Sequence, residues 1–205
     1  MDTKEHWEEI YKSRSSDKVS WFAPHLNLSL ELILNSTTSK DSKIIDVGGG
    51  ASTLADDLIN KGYENITILD ISGDALKVSR KRLGVLSNSA TWLEGNITEI
   101  KLPGQFYDLW HDRAVFHFLT SSQDRKKYVR NLNVSLKPKG TVIIATFSLK
   151  GPEKCSGLDV IRYDPETLQA ELGKNYRLIK SKEEPHQTPS GTNQEFIYCM
   201  FKREE

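Results

Sequence analysis

Five apolar-rich residues, "KIIDV", run without a break into three consecutive glycines and then into "ASTLADDLINKG". A short uninterrupted apolar run is what a strand buried on both faces requires, and such strands belong to parallel sheets covered by helices. The glycines make a tight turn, Ser52 and Thr53 suit a helix start, and Gly62 suits its stop. The same unit recurs. "NITILDI" precedes the helical "GDALKVSRKRLG", "ATWLEGNI" and "FYDLWHD" are further strands, "SSQDRKKYVRNLNVSLK" is a helix, and "GTVIIATFS" is again a strand. "DPETLQAELG" opens with Asp-Pro, a good helix start. "YRLIKSKEE" and "QEFIYCMFK" flank the turn-forming "TPSGTN", which predicts an antiparallel hairpin. Strands alternating with helices dictate an α/β fold with a mostly parallel sheet and helices on both faces.

Composition narrows the partners. The chain has 205 residues with 28 basic and 28 acidic side chains, so no large electrostatic footprint for nucleic acid or a membrane surface is expected. No apolar run is long enough to span a bilayer, and the charged "MDTKEHWEEIYKS" is unlike a secretory signal. Two cysteines, Cys155 and Cys199, are too few for a disulfide framework and fit a reducing, cytoplasmic setting. Residues 1–205 are expected to form one domain and a monomer. A short amphipathic helix over residues 4–13, with Trp7, Ile10 and Tyr11 at helical spacing, and a second helix, "LNLSLELIL", precede the first strand within residues 1–40, and the alternating core occupies 41–205.

Ligands of open parallel sheets bind beyond the carboxyl ends of the strands. Three such ends carry informative residues. Gly48 and Gly50 would let a ligand approach the backbone, with Ser52 opening the following helix, but the third glycine of a dinucleotide fingerprint falls on Thr53. Asp46 would repel a pyrophosphate and welcome a cationic group, which argues against an NAD-dependent oxidoreductase. Asp70, followed by Ile71, can accept from both hydroxyls of a ribose. Asn96 can hydrogen-bond an adenine edge beside Ile97. The ligand so described is an adenosine with a positively charged tail and no phosphate.

The ordered set "DVGGGAS", "LDIS", "EGNI", "FYDLWHD" and "LKPKGTVIIATF" resembles the class I S-adenosylmethionine-dependent methyltransferases. The resemblance runs from about residue 40 to the final hairpin. It implies a Rossmann-like seven-stranded sheet, S-adenosylmethionine as cofactor, and methyl transfer to an N, O or S nucleophile. It also implies that the segment before the first strand is a lid, which places Tyr11, Trp21 and Phe22 over the ligands; Tyr11 and Trp21 are then cofactor contacts and Phe22 an acceptor contact. Trp7 is read as a helix-packing anchor. Asn96 stands where the family usually has an acid, and Lys139 where it usually has a glycine.

"DLWHDRAVFHFL" ends the fourth strand, and in that family the loop following it faces the transferable methyl. The stretch resembles the Asp-Lys-Gly-Thr loop of the lysine methyltransferases that modify elongation factors and citrate synthase, with Asp112, Arg113 and Ala114 at the first three positions. That branch carries an acid where this chain has His117, which weakens a lysine acceptor without excluding it. The resemblance places His111, Asp112, Arg113 and His117 at the mouth of the site, outside the core. His111 and His117 are candidate proton acceptors, Asp112 their orienting partner, Arg113 a holder of acidic substrate groups, and Cys155 a lining residue of the acceptor pocket; His111 would also adjoin the cofactor. The acceptor is a small molecule or a protein lysine. A zinc set drawn from His111, His117, Cys155 and His186 lacks any recognised ligand spacing, and no metal is expected. The alternative to an enzyme is a non-catalytic cofactor-binding or scaffold domain of the same fold.

Overall fold

The computed structural model describes residues 3–13, 15–37 and 39–204. Helices α1 (Thr3–Ser13) and α2 (Asn27–Ser36) precede the sheet. Strand β1 (Ile44–Val47) leads to α3 (Leu54–Asn60), β2 (Ile66–Asp70) to α4 (Gly73–Leu83), and β3 (Ala90–Glu94) to β4 (Tyr107–Arg113). Helix α5 (Ser122–Ser135) joins β4 to β5 (Leu136–Phe147). A small ribbon, β6 (Lys154–Cys155) and β7 (Leu158–Asp159), precedes α6 (Pro165–Leu172), and β8 (Tyr176–Gln187) and β9 (Asn193–Arg203) form the closing hairpin.

The seven-stranded sheet has the order β3-β2-β1-β4-β5-β9-β8. Strands β1 to β5 are parallel, β9 pairs antiparallel with β5, and β8 with β9. The alternating α/β architecture therefore follows the sequence reading. Two details differ. The polypeptide enters β5 at Leu136, so the helical pattern that ran to Lys137 stops at Ser135. The stretch after β5, "LKGPEKCSGLDVIRY", shows no strand or helix pattern in sequence, yet it contains the β6–β7 ribbon.

Two apolar layers cover the sheet. On one face Ile44, Leu109, Ile143 and Tyr198 pack with α2 and α3; on the other Ile45, Trp110, Val142 and Phe201 pack with α5 and α6. The edge strand β8 carries Lys180, Lys182, Glu183 and Glu184 and includes Pro185, features that discourage pairing with another chain. Helix ends are closed locally. Ser72 accepts from the Ala75 amide at 3.1 Å to cap α4, and Asp164 with Thr167 forms a capping box on α6. No helix among the described residues is long and apolar enough to cross a membrane.

The largest departure from expectation lies in β4. His111, Asp112 and His117 are 1%, 0% and 0% exposed. They belong to the core and do not form an open mouth; only Arg113 of the four titratable groups is partly exposed. Strand alternation explains the split. His111 faces α2 and Asp112 faces α5, and each meets a polar partner there.

Candidate active site at the carboxyl ends of the strands

The three glycines after β1 each permit one close approach. A Cβ on Gly48, whose φ is +73°, would lie 2.0 Å from Val115 Cγ2. One on Gly49 would lie 2.4 Å from Asp46 Oδ2, and one on Gly50 2.4 Å from Asp70 Oδ2. The loop is thereby drawn down onto the tips of β1 and β2. Asp70 fixes it further, with Oδ2 accepting from the Gly50 amide at 2.9 Å and Oδ1 from the Ser72 amide at 2.8 Å. Burial raises the Asp70 carboxyl to about 6 against the opposing pull of these amides.

A cavity of about 410 Å³ opens above these strand ends. Asp70 lines it from the end of β2 and Ile71 from just beyond, Asn96 and Ile97 from the turn after β3, and Gly48 from the glycine loop. Asn96 Oδ1 accepts from the Thr98 amide and hydroxyl, each at 2.9 Å, which leaves the Asn96 amide N–H groups for a ligand edge. Tyr11 and Trp21 roof the cavity, and the Trp21 indole N–H donates to Tyr11 Oη at 3.3 Å. Arg113 and Cys155 lie along the same wall. The Cys155 thiol is 3.9 Å from Ser20 Oγ, and burial pushes its pKa up.

A smaller cavity adjoins the first through the shared residues Tyr11, Trp21, Gly48 and Arg113. Asp46, Ser52, His111 and Phe22 line this second space. Gly50 lines neither cavity and acts through the Asp70 contact. Asp46 and His111 form a buried pair, Oδ1 to Nδ1, at 2.7 Å. Asp46 Oδ2 and Arg113 Nη2 are buried without a hydrogen-bond partner among the described residues. An unpaired carboxylate oxygen and an unpaired guanidinium nitrogen beside one cavity match the opposite charges of an amino-acid end group, while Asp70 matches vicinal hydroxyls. The donor set therefore fits S-adenosylmethionine.

Asp112 and His117 line neither cavity. The Asp112 carboxylate accepts from Tyr128 Oη at 2.7 Å and from the Val115 and Phe116 amides at 2.9 and 3.4 Å, so it holds the turn after β4. Burial first, then these donors in opposition, sets its carboxyl at about 6. His117 Nδ1 accepts from the Phe147 amide at 3.2 Å, and its ring packs on Phe118 and Phe147 at 4.6 Å each. Burial, aided by Arg113, pushes its pKa down to about 3. A group held neutral in this way stabilises the fold above its unfolded value near 6.5 and loses that contribution as the pH falls toward 3. His117→Phe should accordingly flatten the acid limb of stability. Between pH 7 and pH 5 the wild type should lose about 2 kcal/mol more than the variant in urea denaturation; parallel losses would show that His117 is not held neutral in the fold.

Trp7 also lines the large cavity, in edge-to-face contact with Trp21 at 5.5 Å and Phe118 at 5.1 Å. It lies four residues before Tyr11, a spacing that puts both on one helix face and could have assigned it to the roof. Thr98, Glu99, Leu119 and Asp124 also border the cavity. Their positions depend on how the turns after β3 and β4 fold over, which no local spacing reveals.

A family profile described as "Methyltransferase domain" matches residues 45–144. An "eEF1A lysine and N-terminal methyltransferase" of Mus musculus is 22% identical over 120 residues, 58% of this chain and 17% of that protein. An "EEF1A lysine methyltransferase 2", also of Mus musculus, is 26% identical over 162 residues, 71% of this chain and 66% of that protein. The chain thus spans about a sixth of the first of these relatives. Among solved structures, one from work on conversion of a disulfide bond into a thioacetal group during echinomycin biosynthesis superposes with TM-score 0.79 at 16% identity, covering 98% of this chain and 92% of the other. The 1,6-didemethyltoxoflavin-N1-methyltransferase of Burkholderia thailandensis, solved with S-adenosylhomocysteine bound, gives 0.72 at 14% identity, with 98% and 87% covered.

Proposed function

Since a methyltransferase domain within this Rossmann-like sheet makes the chain a member of the class I S-adenosylmethionine-dependent methyltransferases, we propose that it catalyses methyl transfer from that cofactor to a nucleophile of a protein lysine or a small molecule. The observation that carries this is the continuous cavity from Asp70 and Asn96 at one end to Arg113 and Cys155 at the other, roofed by aromatic rings.

S-adenosylmethionine supplies a methyl group on a sulfonium centre, open to in-line displacement by a lone pair. Asp70 would receive the ribose hydroxyls, with Ile71 packing beside it. The Asn96 amide and Ile97 would meet the base. Gly48, Gly50 and Ser52 would shape the backbone that carries the tail, and Asp46, steadied by His111, would face its positive charge. Tyr11 and Trp21 offer π faces to a cation and exclude water above it. Arg113 offers its guanidinium to a carboxylate, Cys155 completes the wall on the acceptor side, and Phe22 closes the smaller cavity beside Asp46. Residues 1–40 act as the lid and 41–205 as the core. His111 borders the smaller cavity with both ring nitrogens engaged, by Asp46 and by Ser29, so it would act by orienting the Asp46 carboxylate. Asp112 and His117 act on catalysis through the shape of the turn after β4.

The protein-lysine acceptor draws support from the lysine methyltransferases among the relatives. The enclosed roof of Trp7 and Trp21 suits a small acceptor. A non-catalytic scaffold would be consistent with a blocked turn after β4, whereas Arg113 and Ala114 of that turn line the open cavity. The balanced charge and the two buried free cysteines fit a cytoplasmic monomer that binds neither nucleic acid nor membrane.

Labelled methyl transferred from S-adenosylmethionine into a cell extract, separated into protein and small-molecule fractions, tests the proposal. Label should accumulate in one fraction with wild-type protein and at least about tenfold less with Asp70→Ala. Cofactor binding without label in either fraction would favour the scaffold.

A further inference from the structure

We propose that Ser29 and Tyr198 are positioning residues for the amino-acid end of the cofactor, acting through a buried row that runs Asp46–His111–Ser29–Tyr198–Arg113. The inference rests on the cofactor reading above and extends it to two residues that touch neither cavity.

The row joins four elements. Asp46 Oδ1 of β1 lies 2.7 Å from His111 Nδ1 of β4, and His111 Nε2 lies 2.9 Å from Ser29 Oγ of α2. Ser29 Oγ lies 3.5 Å from Tyr198 Oη of β9, which accepts from Arg113 Nε at 3.0 Å. Asp46, His111, Ser29 and Tyr198 are 3%, 1%, 0% and 1% exposed. Only the two ends of the row, Asp46 and Arg113, are fixed charges of opposite sign, and no ion pair joins them among the described residues. Both line the smaller cavity.

What the row does to its ends can be read from their remaining atoms. His111 occupies Asp46 Oδ1 and leaves Oδ2 unpaired. Tyr198 occupies Arg113 Nε, the Trp21 carbonyl accepts from Nη1 at 3.1 Å, and Nη2 is left unpaired. The Phe196 ring, 4.4 Å from the guanidinium carbon, fixes the plane of the fork. A buried charged atom without a partner is costly, so two of them, on residues that line one cavity, point to a ligand that brings both complementary charges. An α-ammonium with an α-carboxylate is such a ligand. Ser29 and Tyr198 bring no fixed charge of their own. They set the rotamers of the groups that do, and Ser29 ties the helix before the first strand to that geometry. The Arg113 carboxylate partner could also belong to the acceptor; the structure favours the cofactor because Asp46 shares the same cavity.

Two ligands separate these cases: S-adenosylhomocysteine, which has the amino-acid end, and 5′-methylthioadenosine, which keeps the nucleoside and lacks it. Calorimetry should show Tyr198→Phe and Ser29→Ala each weakening S-adenosylhomocysteine by roughly 5- to 30-fold, with 5′-methylthioadenosine changed less than about twofold. Arg113→Gln should behave in the same way. Equal weakening of both ligands, or an unchanged ratio in folded variants, would reduce Ser29 and Tyr198 to packing and overturn the proposal. Loss of discrimination in Tyr198→Phe with none in Arg113→Gln would assign the carboxylate partner of Arg113 to the acceptor, which also overturns it. Two variants on different elements cover the failure of one to fold. If the wild type binds neither ligand, the cofactor reading itself falls, and this inference with it.

Discussion

Gly50→Ala should lower the affinity for S-adenosylhomocysteine by about 100-fold or more, although it adds one methyl group. The added Cβ would lie 2.4 Å from Asp70 Oδ2 and 2.6 Å from Ala75 Cβ. Neither neighbour can yield cheaply. The Asp70 carboxylate is held by the Gly50 and Ser72 amides, and Ala75 belongs to the first turn of α4. The Gly50 carbonyl is also fixed, accepting from Ser79 Oγ at 2.6 Å. Overpacking of this kind costs about 1–3 kcal/mol, equivalent to a fall in Tm of roughly 2–12 °C for a domain of this size. The same displacement would pull the carboxylate from the position in which it is proposed to meet a ribose, so binding should fall further than stability. Gly104→Ala provides the contrast, because its nearest neighbour, the Val134 carbonyl, is 3.8 Å from the added Cβ and both quantities should stay at wild-type values. Scanning calorimetry with titration calorimetry decides the matter; near-normal affinity in Gly50→Ala would mean that the ligand does not use this loop.

Asp70→Ala should weaken S-adenosylmethionine by roughly 1.5–3 kcal/mol, about 10- to 150-fold in Kd, the range for hydrogen bonds to a charged group. It should also lower stability, since two amides that donate to the carboxylate would lose their acceptor. The effect on binding carries its own pH signature. Burial raises the Asp70 carboxyl to about 6, so the free protein takes up a proton there as the pH falls through that value. Ribose hydroxyls donate to the ionised form. Affinity should therefore hold above pH 6 and fall by up to about tenfold per unit below it, with Asp70→Asn weak and flat across the range. A wild-type Kd independent of pH from 7 to 5 would remove Asp70 from the ribose contact.

The sheet was legible because its signals are local. "KIIDV", "NITILDI" and "GTVIIATFS" are apolar runs of strand length followed by turn or helix signals, and a strand covered on both faces admits few other readings. Asp70, Asn96 and Gly48 were legible for a related reason: a residue at the carboxyl end of a parallel strand is placed by the strand itself, and all three line one cavity. The Asn96 acceptor was not legible as occupied, because its partner Thr98 lies in a turn whose conformation no periodicity encodes.

The sequence by itself determined the alternation of strands and helices, the position of the glycine loop, and the presence of four titratable groups around the end of β4. The tertiary structure decided which way those groups face. Adjacent residues of a strand point to opposite sides, so His111 and Asp112 were certain to part, but the partners waiting on each side come from elsewhere: Ser29 from α2 and Tyr128 from α5. Tyr198, which takes Arg113, comes from a strand 85 residues away in the chain. A buried polar group persists where it is hydrogen-bonded, and that condition is met by packing between distant elements. Composition could announce polar side chains in "DLWHDRAVFHFL". Only the assembled layers could make Asp112 a buried brace, His117 a neutral packing group, and Arg113 the one that reaches the larger cavity.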